Sequence, residues 1–198
     1  DKFAAIITAY LLGSIPTGLL LTRTLRGIDI REHGSKNIGA TNVFRVVGKK
    51  WGIVVLLIDA LKGWLAVTLP FILFKELAPS FGVFLGLATL FGNTFPVWLK
   101  FKGGKGIATS LGVFTGLVPG PALLTFALWC VIFAVTRILS VSSLVAAYVF
   151  PLTLYFLLRE SENFSLFFAL SLFLSVFITY THRTNIQRLL KGEEKRLI

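Results

Sequence analysis

Residues 51–74 read WGIVVLLIDALKGWLAVTLPFILF, and this stretch decides the fold class. Asp59 and Lys62 are its only charged residues. An α-helix rises about 1.5 Å per residue, so a helix of this length exceeds the roughly 30 Å apolar core of a bilayer. The stretch therefore predicts a membrane-spanning helix.

The composition of the whole chain agrees with a membrane protein. Of 198 residues, 55% are hydrophobic and 15% are charged, whereas soluble domains carry roughly 25% charge. The mean hydropathy is +0.81, and 19 Phe exclude a disordered chain, which would be poor in aromatics. In so apolar a chain, the net charge of +11 favours one face of a membrane over a nucleic-acid partner.

Six further apolar runs resemble the first. Period-2 alternation, the signature of a membrane β-barrel, is absent from them. We therefore predict an all-α integral membrane protein that forms a single transmembrane domain over residues 1–198. The seven predicted spans are 3–22, 51–74, 80–98, 107–118, 121–136, 141–158 and 164–181.

The connections between these runs alternate in charge. Sixteen of the 20 Lys and Arg residues fall on one set: loop 23–50, loop 99–106, Arg137 and the tail after Thr181. The positive-inside rule places this set in the cytoplasm. The N-terminus is then outside and the C-terminus inside.

The basic face also carries the most polar sequence. The second, fourth and sixth spans begin there, preceded or opened by Thr41 and Asn42, by Gly103 to Gly106, and by Ser140, Ser142 and Ser143. A helix N-terminus offers free N–H groups and partial positive charge, which suits an anion. Arg45, Lys105 and Arg137 add full charges, so the pattern indicates binding of more than one phosphate.

Each feature also has a plainer interpretation. Basic residues near cytoplasmic helix ends often only set topology or contact lipid headgroups, and Ser, Thr and Asn are ordinary helix caps. The stretch from Gly103 to Gly106 is not a Walker A motif, because Gly106 follows Lys105 where Ser or Thr is required. Asp59 and Lys62 lie on one helix face, and a structural ion pair and a functional role are equally open.

Several strings give the chain a close resemblance to a known family. They include Leu12 to Gly18, Gly34 to Arg45, Gly92 to Gly112, Arg137 to Ser143 and His182 to Glu194. The sequence resembles the acyl-phosphate-dependent glycerol-3-phosphate acyltransferases of bacteria over nearly its whole length. It departs from the family pattern at Lys36, usually glycine, and at Asn93, where histidine is common.

The resemblance implies an enzyme of the bacterial cytoplasmic (inner) membrane whose site faces the cytoplasm. Such enzymes transfer a fatty acyl group from acyl phosphate to the sn-1 hydroxyl of glycerol 3-phosphate. The products are lysophosphatidic acid and phosphate, at the start of phospholipid synthesis, and no cofactor or metal is implied. The implied catalytic residues are Arg45, Lys105 and His182, and the implied substrate-binding residues are Ser35, Asn37, Thr41, Asn42, Gly103, Gly104, Gly106, Ser142, Ser143 and Asn185.

The residues themselves restrict the mechanism. Two His and one Cys, with Cys130 in the middle of an apolar run, form no credible nucleophilic triad. The His-x4-Asp motif of other glycerolipid acyltransferases is absent, because His33 leads to Ile38 and His182 leads to Gln187. Acyl phosphate is already activated, which favours direct attack by the hydroxyl. The base is either the substrate's phosphate or His182.

A small transporter or channel for a phosphate ester is the alternative. The same basic loops would then form an entry vestibule. Against it, the chain lacks the internal repeat that many transporters show, and its polar residues gather at one face rather than at the midplane.

Orientation can be tested by labelling single cysteines in a Cys130→Ala background. We expect cysteines at positions 36 and 193 to react only from the cytoplasmic side, and those at 77 and 161 only from outside, because the basic loops stay in the cytoplasm. Labelling of positions 36 and 193 from opposite sides would contradict the odd number of spans.

Overall fold

A computed structural model describes residues 2–74 and 77–197, and every secondary-structure element within these residues is a helix. The α-helices are α1 (Lys2–Ser14), α2 (Thr17–Arg26), α3 (Ala40–Val46), α4 (Lys49–Leu73), α5 (Gly82–Thr94), α6 (Ile107–Leu117), α7 (Pro119–Thr136), α8 (Leu139–Leu158), α9 (Phe164–Thr181) and α10 (Arg183–Leu190). Three short 3₁₀-helices accompany them, at Ile30–Glu32, Pro79–Phe81 and Val97–Leu99.

Six of the seven predicted spans are long and apolar enough to cross a bilayer. They are Lys2–Arg26, Lys49–Leu73, Pro79–Leu99, Pro119–Thr136, Leu139–Leu158 and Phe164–Thr181. Helix α6, at Ile107–Leu117, is apolar but shorter than these. The all-helical membrane fold is confirmed for the described residues, while the seventh span and the orientation stay predictions.

The chain divides into two compact units, Asp1–Leu117 and Val118–Ile198. In the first unit, α1 packs against α5 and α4 packs against α6. Both pairs approach closely: a Cβ on Gly13 would overlap the Thr89 carbonyl oxygen, and a Cβ on Gly112 would overlap that of Ala60. Small residues allow such backbone contact between membrane helices.

Two breaks between helices lie close to the loops. The first span bends at Pro16, which lacks an N–H group and separates α1 from α2. Thr41 and Asn42 precede the long second span, as predicted, without belonging to it. They lie in the short helix α3, and Gly48, with φ +129°, separates α3 from α4.

The loop between α2 and α4 has its own apolar core. Leu19 of α2, Ile30, Val43 of α3 and Val55 of α4 are buried together. Burying this apolar surface ties residues 28–47 to the ends of α2 and α4. The polar residues of the loop are therefore held on a packed base.

The second unit is built on α8, which packs against α7 on one side and α9 on the other. Hydroxyl groups join the helices: Thr125 pairs with Thr153 at 3.0 Å, and Ser175 donates to the Ala147 carbonyl at 2.6 Å. Helix α10 follows α9, and the backbone N–H of Leu197 donates to the Arg137 carbonyl. The tail is thus fixed beside the start of α8.

We expect Gly112→Ala to destabilise the protein by about 1–3 kcal/mol, because a methyl group there forces α4 and α6 apart. Thermal unfolding in detergent measures the effect. Gly120→Ala is the control, since a Cβ at that position meets no atom within 4 Å. Equal melting temperatures for both variants would contradict the proposed close packing.

Candidate active site

Asn42 organises the polar loop of the first unit. It is 1% exposed, and its Oδ1 accepts a hydrogen bond from the Ser35 backbone N–H at 2.8 Å. Its Nδ2 donates to the carbonyls of Ile30, His33 and Asn37 at 3.2, 2.9 and 2.8 Å. Both amide protons are thus used inside the protein. Asn42 therefore holds the loop in shape, and its predicted contact with substrate stays a prediction.

The other loop candidates lie on this framework. Asn37 accepts a hydrogen bond from the Gly39 backbone N–H at 2.8 Å, which turns the chain into α3. Ser35 is exposed, Thr41 is half-buried in the first turn of α3, and Arg45 is exposed in its last turn. The structure therefore presents Ser35 and Arg45 at the surface of the first unit.

An acidic residue braces the start of the same loop. Asp29 accepts hydrogen bonds from the side chain of Arg31 at 2.6 Å and from that of Arg23 at 2.8 Å. The Arg31 guanidinium is the main cause that holds the pKa of Asp29 well below its usual range. Asp29 is thus a carboxylate at neutral pH and neutralises part of the basic loop.

The glycine loop at Gly103 to Gly106 is arranged differently from the sequence expectation. The Gly103 N–H donates to the Thr94 carbonyl and the Gly104 N–H donates to the Asn93 carbonyl, both at 3.0 Å. These two N–H groups are therefore bonded inside the protein, and substrate contact by Gly103 and Gly104 stays a prediction. A Cβ on Gly103 would overlap the Asn93 carbonyl, so glycine is needed there for the close approach to α5.

The amides that remain are at the start of α6. Gly106, with φ +81°, turns the chain into this helix. Among the described residues, the backbone N–H groups of Gly106, Ile107 and Ala108 donate no hydrogen bond. Three open donors and the positive end of the helix dipole suit an anion. Lys105 immediately precedes them and is partly buried.

A buried ion pair lies behind the glycine loop. Lys62 Nζ contacts Asp59 Oδ1 at 2.7 Å, and the Lys62 side chain is 7% exposed. The ammonium also donates to the Ile15 carbonyl at 2.9 Å and to Asn93 Oδ1 at 3.0 Å. Thr17 donates to the same carboxylate oxygen at 2.9 Å. Asp59 and Lys62 thus form an ion pair, which was one of the two interpretations left open by the sequence.

In the second unit, the candidate serines lie in the first turn of α8. Ser142 is fully buried and donates to the Ile138 carbonyl at 3.1 Å. Ser143 is 5% exposed, and its Oγ accepts a hydrogen bond from the Trp129 indole at 3.2 Å. The Trp129 contact orients the Ser143 hydroxyl, while the Ser142 hydroxyl is bonded to its own helix.

His182 joins α9 to α10 and is 3% exposed. Its Nδ1 lies 2.9 Å from the Ile178 carbonyl. A carbonyl only accepts, so Nδ1 carries the proton and a neutral ring has its lone pair on Nε2. The atom of His182 able to accept a proton is therefore Nε2.

Sequence reasoning did not assign a role to Glu194, which connects three parts of the second unit. Its carboxylate accepts hydrogen bonds from Asn185 at 2.5 Å, from Arg188 at 2.6 Å and from Ser140 at 2.8 Å. Burial alone raises the pKa of this carboxyl, but the three hydrogen bonds outweigh burial and lower it. Glu194 therefore positions Asn185, and no local sequence pattern in the tail predicts this contact.

The described part of the chain contains no group of three or more His, Cys, Asp and Glu side chains arranged to hold a metal ion. Its donors are instead amides, hydroxyls and cationic side chains. These groups are suited to anions. The chemistry available in each unit is the binding and orientation of negatively charged groups.

Comparison with known proteins places the chain among acyltransferases. A family model described as glycerol-3-phosphate acyltransferase matches residues 3–192. A Myxococcus xanthus protein of that name is 48% identical over 98% of both chains, and one from Fusobacterium nucleatum is 39% identical over 98% of this chain and 97% of its own.

Two solved structures are similar in fold. Both are crystal structures of PlsY, an integral membrane glycerol 3-phosphate acyltransferase, one in a glycerol 3-phosphate form and one in a lysophosphatidic acid form. Each is 39% identical and covers 98% of this chain and 94% of its own, with TM-scores of 0.87 and 0.85.

We expect Glu194→Gln to lower the free energy of unfolding by about 1–2 kcal/mol at neutral pH, because the Arg188 and Asn185 donors lose a charged acceptor. The folded-state pKa is lowered, so this stabilisation is present above the ordinary pKa of the carboxyl and is lost as pH falls below it. Melting temperatures between pH 7 and pH 3 measure it. The exposed neighbour Glu193, changed to Gln, is the control. A difference between wild type and Glu194→Gln that persists unchanged at low pH would contradict this role.

Proposed function

The chain belongs to the glycerol-3-phosphate acyltransferase family, and we propose that it transfers a fatty acyl group from acyl phosphate to the sn-1 hydroxyl of glycerol 3-phosphate. The products are 1-acyl-glycerol 3-phosphate, which is lysophosphatidic acid, and inorganic phosphate. The reaction needs no cofactor or metal in this proposal. It takes place at the cytoplasmic face of the bacterial inner membrane and supplies phospholipid synthesis.

The proposal rests above all on the start of α6. The open N–H groups of Gly106, Ile107 and Ala108 follow directly after the cationic Lys105. This arrangement matches a phosphoryl group, whose oxygens accept several hydrogen bonds and carry negative charge. Both substrates of the proposed reaction carry a phosphoryl group. We assign the phosphate of acyl phosphate to the α6 start.

Arg45 is assigned to the second anion. Its guanidinium lies at the surface of the first unit, on the last turn of α3. A planar guanidinium binds phosphate through two parallel hydrogen bonds, which fixes the orientation of the substrate as well as its charge. Ser35, Asn37 and Thr41 share its loop. They are the proposed substrate contacts around it.

The second unit contributes to the same reaction in this proposal, through residues assigned by family resemblance. Ser143 presents an oriented hydroxyl, Asn185 is held by Glu194, and a neutral His182 ring has its lone pair on Nε2. Ser142 is the fourth assigned residue. Its hydroxyl is bonded to the Ile138 carbonyl, so we expect it to support the start of α8.

The chemical step is a direct acyl transfer. The sn-1 oxygen of glycerol 3-phosphate forms a bond to the acyl carbon, and the bond from that carbon to the phosphate oxygen breaks. Phosphate leaves with its electron pair. Cations and amide N–H groups stabilise the negative charge on the departing phosphate, so positioning and electrostatics supply the catalysis. No covalent enzyme intermediate is required, because acyl phosphate is already activated.

The proton of the attacking hydroxyl has two possible destinations. One is the phosphate of glycerol 3-phosphate, whose second pKa is about 6. The other is Nε2 of His182. We favour the substrate's phosphate because it is part of the attacking molecule, which brings the base to the hydroxyl in every productive complex.

The donor is tested by incubating purified protein in detergent with glycerol 3-phosphate and either acyl phosphate or acyl-CoA. We expect lysophosphatidic acid only with acyl phosphate, because a thioester carbonyl has no adjacent phosphate for the α6 start. Inorganic phosphate should compete with acyl phosphate. Lys105→Ala removes a full charge from the proposed phosphate site, so this control variant shows how a weakened site behaves in the same assay. Efficient use of acyl-CoA, or flux of a phosphate ester across liposomes without turnover, would contradict the proposal.

The base is tested with His182→Asn, which keeps a hydrogen-bonding side chain and removes the imidazole. We expect a modest loss of kcat and an unchanged acidic limb in the pH profile, because the substrate's phosphate accepts the proton. A base role for His182 would instead cost roughly 10²–10⁴ in rate and remove that limb. The second result, in a variant that still binds both substrates, would overturn our assignment.

A further inference from the structure

The end of α5 lies directly beneath the glycine loop. Asn93 and Thr94 are the last residues of this helix, and their carbonyls accept the Gly104 and Gly103 N–H groups. Their side chains are also buried there, at 8% and 7% exposure. These two residues form the floor of the loop that leads into α6.

We propose that the Asn93 carboxamide and the Thr94 hydroxyl donate hydrogen bonds to the phosphoryl group held at the start of α6, with Lys62 as the positioning residue that orients Asn93. The inference rests on the proposed function, which places a phosphate at this helix start. It adds two side-chain donors and one positioning residue to the backbone amides already described.

Lys62 determines which way the Asn93 amide faces. The ammonium has three protons, and they meet Asp59 Oδ1, the Ile15 carbonyl and Asn93 Oδ1. An ammonium can only donate, so the oxygen of the carboxamide must face Lys62 and the nitrogen must face away from it. The opposite amide orientation would place N–H groups against a buried cation.

The Asn93 nitrogen consequently faces the glycine loop. Nδ2 lies 3.2 Å from the position that a Cβ on Gly104 would take, and 3.8 Å from the corresponding position on Gly106. Within the described part of the chain, Nδ2 donates no hydrogen bond. A nearly buried donor is therefore directed at the turn into α6.

Thr94 reaches the same place from the neighbouring position. Its Oγ1 lies 3.6 Å from the Cβ position of Gly106. It is one of three buried side-chain oxygens among the described residues that lack a hydrogen-bond partner. The other two belong to Thr109 and Ser110, in the first turn of α6. Unpaired buried hydroxyls thus cluster around this one helix start.

Unpaired buried donors are uncommon because leaving them without an acceptor is unfavourable. Here the Asn93 amide and the Thr94 hydroxyl lie close to the place where a side chain of residue 106 would be, next to the open amides of α6. An acceptor with several oxygens would pair with all of these donors. A phosphoryl group fits, since each of its oxygens accepts more than one hydrogen bond.

The test measures affinity for inorganic phosphate, which needs no turnover. We expect Thr94→Val, which keeps the shape and removes the hydroxyl, to weaken phosphate binding roughly tenfold, the ordinary effect of losing one hydrogen bond to a charged group. Thr94→Ser should restore it. Thr89→Val is the matched control, because that buried hydroxyl on the same helix is already bonded to the Leu85 carbonyl.

Asn93→Asp tests the amide. The carboxylate keeps an acceptor for Lys62 and replaces the donor facing the loop with a negative oxygen. We expect a loss of phosphate affinity of about tenfold or more, an equal rise in the KM for acyl phosphate, and a KM for glycerol 3-phosphate within about twofold of wild type.

Three results would overturn the inference: unchanged phosphate affinity in Thr94→Val and Asn93→Asp, an equal loss in Thr89→Val, or failure of Thr94→Ser to restore binding. The donor question is separate. If wild-type protein binds phosphate through Thr94 and Asn93 but does not consume acyl phosphate, the proposed function fails and the anion site stands. If it consumes acyl phosphate and the variants bind phosphate normally, the inference fails alone.

Discussion

The first unit depends on one buried ammonium. Lys62 has three donors, and each meets an acceptor from a different part of the chain: Asp59 of α4, the Ile15 carbonyl at the Pro16 bend, and Asn93 at the end of α5. A charge in an apolar interior is tolerated only when it is paired and fully hydrogen-bonded. The requirement to satisfy Lys62 therefore fixes where the bend of the first span, α4 and the end of α5 meet.

This constraint extends to the candidate site. The end of α5 carries the glycine loop, since the Asn93 and Thr94 carbonyls hold the Gly104 and Gly103 N–H groups. The loop in turn places the open amides of Gly106, Ile107 and Ala108. Backbone amides held in this way are preorganised, so the proposed anion site depends on the packing of the helices behind it. Lys62 stabilises that geometry without contacting the anion in our proposal.

The second unit uses a buried carboxylate for a similar purpose. Glu194 receives hydrogen bonds from Ser140 at the start of α8 and from Asn185 and Arg188 of α10, and so fixes the tail against both helices. Asn185, a proposed substrate contact, owes its orientation to that carboxylate. In each unit, an ionised group placed behind the candidate residues holds them.

The sequence alone determined the membrane fold, most span boundaries and the regions that carry the polar candidates, because length and hydropathy act locally. It also placed Asp59 and Lys62 on one helix face, which left an ion pair and a functional role open. Only the tertiary structure showed that Asn42 holds its own loop and that Gly103 and Gly104 donate to α5. It alone also showed the contacts that Asn93, Thr94 and Glu194 make with the candidate groups. These roles depend on hydrogen bonds between distant segments, and a residue's type and neighbours do not reveal which distant carbonyl its N–H group will meet.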